Sequence, residues 1–257
     1  MEKLKRFLNI IYILWIRQIK RYFRSRARVI SALAQPLLFL VALGFGFNSI
    51  FMQAGKGNYI EFLAPGVIAM TVVFTAVFSG VEVISDRQFG FLKETLVAPV
   101  PRSAIMAGRT LGGATVAVIQ GVIVFIASLF VGFHPNLTGE IPVTLLFMFL
   151  IGIFSTAFGT AVGSVLQDMQ AFPLVINFLF MPMFFISGAL FPLENLPKII
   201  NYIAVFNPLS YGIDGIRTML TGSELARFSL MSDFLVMGVF SLALIFAGAY
   251  LFSKIEA

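Results

Sequence analysis

Six stretches of this chain hold no Asp, Glu, Lys or Arg over at least twenty residues: 29–55, 62–81, 110–139, 141–167, 169–193 and 234–253. About 20 apolar residues, at roughly 1.5 Å rise each, cross a hydrocarbon layer of about 30 Å. Lipid offers the backbone no water, so an open chain can satisfy its N–H and C=O groups there only as helices. A closed barrel would need short strands of alternating polarity, and the sequence has none. Only 12% of the residues are charged, against about 25% in soluble domains, which leaves too little polar surface for a water-soluble fold. The expected fold is an all-α integral membrane protein with six transmembrane helices. There is no cysteine, hence no disulfide and no thiolate metal site.

The distribution of basic residues sets the orientation. Placing the N-terminus in the cytoplasm puts nine Lys or Arg (residues 1–28), four (86–109) and Lys254 on that side, fourteen in all. The opposite side then holds Lys56, Lys198, Arg217 and Arg227. The positive-inside rule therefore predicts a multi-pass protein of the cytoplasmic membrane with both termini cytoplasmic. The basic start lacks a short apolar core followed by a small-residue cleavage site, so no cleaved signal peptide is expected. The same topology accounts for the pI near 9.8 without nucleic acid as a partner; membrane lipids are the expected contact of these charges.

The expected spans are 29–52, 60–84, 106–131, 141–166, 171–191 and 233–253, the first carrying Pro36 and a Gly44-Phe45-Gly46 step. Ahead of them, residues 4–24 alternate at helical spacing. Leu4, Leu8, Ile11, Trp15, Ile19 and Tyr22 fall mostly opposite Lys3, Arg6, Arg17, Lys20, Arg21 and Arg24. Such a helix suits the plane of the interface, with Trp15 and Tyr22 at headgroup depth; the other reading makes 7–16 the frayed start of a span. Between the last two spans, 192–232 holds two moderately apolar stretches split by Asn207-Pro208. Each is too short to cross, which suggests two helices dipping into the outer leaflet or a solvent-exposed helical hairpin.

Chemistry is narrowed by what is missing. His134, the one histidine, falls in a turn beside Pro135, and no His, Cys and acidic residues gather at metal-ligand spacing. Gly55-Lys56-Gly57 lacks the GxxxxGK[ST] pattern of a phosphate loop, since Ile50 and Gly57 occupy the required positions. No catalytic residue, metal or cofactor is expected on this chain. Nor does any charge sit at the centre of a span: Glu61 and Glu82 lie at the ends of the second, and Arg109 near the inner start of the third. Ion-coupled carriers place charge at mid-membrane, so the energy source is expected elsewhere.

The segment DRQFGFLKETLVAPVPRSAIMAGR, 86–109, interrupts two greasy runs with charge and two prolines. Asp86 suits a helix N-cap. Phe89, Phe91, Leu92, Leu96 and Val97 can share an apolar stripe, with Arg87, Lys93 and Glu94 polar, before Pro99 and Pro101 end the helix. A short stiff helix of this kind fits a cleft on a soluble partner equally as well as a resting place on headgroups.

With YIEFLAPGVIAM (59–70), the 86–109 segment, FISGALFP (185–192) and NPLSYGIDGIR (207–217) in this order within six spans, the chain resembles the permease subunits of ABC-2 type ABC transporters. That group includes daunorubicin-type drug efflux, nodulation-factor and polysaccharide export permeases. The resemblance covers nearly the whole chain and implies a single transmembrane domain over 1–257. It makes 4–24 the connecting helix, with Trp15, Arg17, Arg21 and Arg24. It makes 86–101 the coupling helix toward an ATPase, with Asp86, Arg87, Phe89, Phe91, Leu92, Lys93, Glu94 and Leu96, followed by Arg102. It makes 192–229 the outer re-entrant helices, with Asn207, Pro208, Tyr211, Asp214 and Arg217. It further implies a permease dimer, expected to be a homodimer, and two separate ATPase subunits that hold ATP and Mg. Thirty phenylalanines and uncharged span centres point to export of a hydrophobic or amphipathic drug or lipid, the alternative being a polysaccharide or lipid-linked glycan.

Overall fold

The computed structural model describes residues 2–54, 57–90, 101–136, 140–193 and 197–253. Among them the regular elements are all helical. In chain order they are α1 (Glu2–Arg24), α2 (Arg26–Gln53), α3 (Tyr59–Phe78), α4 (Val81–Gln88), α5 (Arg102–Val131), α6 (Ile141–Val165), α7 (Ala171–Ile186), α8 (Lys198–Phe206), α9 (Pro208–Thr221) and α10 (Leu230–Ser253), with one 3-10 turn at Ser223–Leu225. Local signals place several ends. Asn58 caps α3 by accepting from the Ile60 amide at 3.0 Å. Gly132, at φ 106°, closes α5 in the left-handed conformation that glycine adopts without strain. Asn207 caps α9 with Pro208 at its first turn.

Five helical stretches among the described residues are long and apolar enough to cross a membrane: Val29–Gln53, Tyr59–Gln88, Arg102–Val131, Ile141–Val165 and Leu230–Phe252. The remaining expected span, 171–191, is a 16-residue helix, about 24 Å long at ~1.5 Å per residue. It stops at Ile186 because Ser187 turns the chain and Gly188 takes φ 82°.

The layering follows from small residues. The α3–α4 stretch is the centre, with 67% of an apolar run of 18 residues in it buried, against 17% of the corresponding run in α2 and in α10. It breaks at Ser79-Gly80, where the Ser79 and Gly80 amides reach back only three residues, to Ala76 and Val77. The break lies against α6 at backbone contact. A Cβ on Gly80 would fall 2.1 Å from the Gly159 carbonyl oxygen, and one on Gly159 would fall 2.1 Å from that of Val77. In lipid, helices associate by such close packing rather than by excluding water. On the other side α5 presents Gly108 and Gly112 to α1; a Cβ on Gly112 would lie 2.5 Å from the Gln18 Cβ. By contrast α7 buries a single stripe, Phe172, Ile176, Phe180 and Phe184, and leaves Leu174 and Phe178 on its open side.

Two sequence expectations change here. Asp86 does not cap a new helix: it sits within α4, which continues the α3 direction to Gln88 and ends in a turn at Phe89-Gly90, Gly90 at φ 79°. The predicted helix residues Phe91, Leu92, Lys93, Glu94, Leu96 and Val97 lie outside the described residues. Second, Trp15 and Tyr22, expected to serve as headgroup-depth residues, also have hydrogen-bond partners inside the bundle. Trp15 Nε1 donates to Thr115 Oγ1 at 2.9 Å and the Tyr22 hydroxyl to Gln120 Oε1 at 2.8 Å. With Leu14 against Gly108 and Gln18 against Gly112, contacts advance together along both helices, so α1 runs parallel to the first half of α5.

Candidate functional site

Where α1, α4 and α5 meet, their charges converge. Spacing of four residues puts Arg17 and Arg21 on one face of α1, and the same spacing puts Glu82 and Asp86 on one face of α4. The faces oppose each other. Arg21 Nη1 lies 3.3 Å from Asp86 Oδ1 and 3.7 Å from Glu82 Oε2, and Arg17 Nη2 lies 3.9 Å from Asp86. From α5, Arg109 Nη2 donates to Asp86 Oδ2 at 2.5 Å, with both residues buried. Gln18 Nε2 donates to Glu82 Oε2 at 2.6 Å. Three guanidiniums thus gather around two carboxylates. The shared, buried carboxylate is Asp86; breaking one partner of such a pair costs about 3–5 kcal/mol because the other is left charged and unpaired.

The same α4 end is fastened to α6. Arg87 Nη2 donates to the Ser164 carbonyl at 2.8 Å, and Gln88 Nε2 to that of Gln167 at 3.1 Å. Phe89 is 70% exposed. Arg24 is exposed on α1, and Arg102 opens α5 directly after Pro101.

Beside this cluster lies a cavity of about 660 Å³ between α1, α2, α3, α5 and α7. Its wall is mixed: Gln35, Thr75 and Asn177 supply polar groups, Phe74, Phe78 and Met181 apolar ones. Gln18 and Glu82 belong to both the cluster and the cavity wall. The sequence points to Arg17, Arg21 and Asp86 as functional residues and to Glu82 and Arg109 only as charges at span ends, while Gln18 carries no signal. The matching four-residue spacing of opposite charges on two amphipathic stretches was the available signal.

The opposite end of the bundle collects the remaining predicted residues. The Asn207 side chain accepts from the Leu209 amide and donates to the Met183 carbonyl. Pro208 opens α9. The Tyr211 hydroxyl donates to Val205 O at 2.9 Å, and its ring stacks on Phe228 at 4.3 Å. Asp214 accepts from the backbone amides of Arg227 and Phe228 at 2.8–3.1 Å, pinning the chain that follows the 3-10 turn. Burial pushes its carboxyl above the ordinary range, opposed by those two amides. Arg217 Nη2 donates to Gly188 O at 2.9 Å, and its guanidinium lies 4.1 Å over the Phe62 ring. Burial pulls Arg217 down to about 10, opposed by Asp214 and Tyr59, so it remains a cation at neutral pH.

No group of three or more His, Cys, Asp or Glu that could hold a metal occurs among the described residues. The arrangement therefore offers an amphiphilic cavity and an ion-pair junction.

Residues 9–221 match the family model described as ABC-2 type transporter. The chain is 32% identical over 207 residues to the putative transport permease ycf38 of Porphyra purpurea, covering 78% of this chain and 70% of that protein. It is 27% identical over 208 residues to nodulation protein J of Rhizobium leguminosarum bv. viciae, covering 79% of each. It is 26% identical over 232 residues to the inner membrane transport permease YadH of Escherichia coli K12, covering 90% and 89%. With several apolar helices long enough to cross a bilayer and a match over most of its length, this chain belongs to the ABC-2 type transporter family and is a membrane transport permease.

Proposed function

We propose that the chain is the transmembrane subunit of an ATP-driven exporter of the cytoplasmic membrane. In this reading both termini face the cytoplasm, α7 completes six crossings, and α8 and α9 re-enter the outer leaflet. Two copies form the path, and two separate ATPase subunits, which bind ATP and Mg, engage the 86–101 segment. The observation that carries the reading is that Gln18 and Glu82 line the cavity while joining the Arg21–Asp86–Arg109 cluster at the base of that segment. A displacement of 86–101 by a soluble partner is thereby delivered to the cavity wall through α4, with α1 and α5 moving as a unit.

The cavity favours a hydrophobic or amphipathic cargo, because aromatic and Met side chains alternate with amides and hydroxyls. A glycan or lipid-linked glycan is the second reading, supported by the same Gln35, Asn177 and aromatic faces, which suit sugar hydroxyls and ring faces. The test is reconstitution with the cognate ATPase in vesicles. Charge reversal at Lys93 and Glu94 is expected to abolish permease-dependent stimulation of ATP hydrolysis and ATP-dependent cargo movement. Intact stimulation in that double variant overturns the coupling role, and flux without ATP overturns the active-transport reading.

A further inference from the structure

A second cavity, of about 310 Å³, lies at the far end of the bundle from the Asp86 cluster, between the start of α3, the Ser187–Leu193 turn, α9 and the chain after the 3-10 turn. Phe51, Phe62 and Phe228 supply apolar walls, and Ser210, Arg217 and Arg227 supply donors. Arg217 is 5% exposed, yet no carboxylate among the described residues lies within 4 Å of its guanidinium. Asp214 also lines the cavity, but both its oxygens are taken by the amides at 227 and 228. Arg217 spends Nη2 on the Gly188 and Ala189 carbonyls, while its Nε is buried without a partner. The hydroxyl of Ser210, 2% exposed on the same wall, is likewise unpartnered.

A buried cation with no carboxylate in direct contact is costly, and buried donors left unmade are costly too. Guanidinium groups pair with carboxylate and phosphate through paired N–H donors. Both unpartnered groups in this cavity are donors, and the wall around them is aromatic. We propose that this cavity is a binding site for an oxyanion, a phosphate or carboxylate group, held by Arg217 and Ser210, with the apolar part of an acidic amphiphile against Phe51 and Phe62. The site stands independently of transport direction and of the ATPase.

The test uses the full chain in neutral detergent. Native mass spectrometry with phosphatidylglycerol, phosphatidylcholine or inorganic phosphate reads the bound molecule. One phosphatidylglycerol per chain, not matched by phosphatidylcholine, is expected, and its displacement by inorganic phosphate would identify the headgroup as the part recognised. Retention of inorganic phosphate alone would make a free anion the ligand of the same site. Arg217→Lys is expected to weaken binding about tenfold, through loss of the Nε donor. Ser210→Leu fills the cavity with Arg217 in place and is expected to do the same at an unchanged Tm, which separates binding from folding. Equal retention by wild type and Ser210→Leu overturns the proposal. So does a wild type that retains neither phosphatidylglycerol nor inorganic phosphate.

Discussion

Asp86 and Arg109, twenty-three residues apart, meet as a buried ion pair at 2.5 Å, with Asp86 shared by Arg21 of α1 at 3.3 Å. One carboxylate therefore ties three helices at the point where the chain leaves the bundle. Asp86→Ala or Arg109→Ala should each destabilise the protein by about 3–5 kcal/mol by stranding the partner. The double variant should cost less than the two singles together by at least about 1 kcal/mol. Thermal unfolding of the four proteins in one detergent measures this coupling; strictly additive losses would show that the pair is not energetically joined.

The contact between α3–α4 and α6 is made of backbone. Gly159→Leu places a side chain where Val77 O already lies 2.1 Å from the would-be Cβ, so folded, monodisperse protein should be lost. Gly46→Ala, in α2 with nothing within 4 Å of the new Cβ, should be neutral or stabilising by up to about 1 kcal/mol. Size-exclusion profiles of the two variants give the comparison, and a well-behaved Gly159→Leu would contradict the packing.

Asp233 is completely buried at the start of α10, and neither of its carboxylate oxygens has a partner among the described residues. An unpaired buried carboxylate is a large desolvation cost. Asp233→Leu removes the unpartnered polar group and adds no donor or acceptor to satisfy, so Tm should rise, by roughly 2–4 °C for each ~1 kcal/mol gained in a chain of this size. A fall in Tm instead would reveal a compensating partner for the acid.

Within the 660 Å³ cavity, Asn177→Leu removes a polar group from the wall without touching the ion-pair cluster. If the cavity holds cargo, cargo-stimulated ATP hydrolysis in the reconstituted complex should shift its half-maximal concentration severalfold while basal hydrolysis is unchanged. An unaltered dose response would place the cargo elsewhere.

Much of the architecture was legible before any coordinates. Charge-free runs located the long helices to within a few residues, because lipid allows no other backbone state, and Asn207-Pro208 marked the break between α8 and α9. The candidate site was legible only in part. Arg17, Arg21 and Asp86 stood out as charges among apolar residues, but Asp86 read locally as a helix cap because its partners lie 23 and 65 residues away. The hydrogen bonds of Trp15 and Tyr22 left no local sign for the same reason, their partners Thr115 and Gln120 being about a hundred residues distant.

What the sequence determined by itself was the helical class and the five long apolar helices, both consequences of burying backbone in hydrocarbon. Only the tertiary structure decided that α3 is central while α2 and α10 are peripheral. Leu and Val are equally at home against lipid and against protein, so burial leaves no trace in apolar composition. The same holds for the glycines, whose meaning lies in the helix that reaches them, and for Arg217, whose cavity exists only once Phe62, Gly188 and Phe228 are brought together.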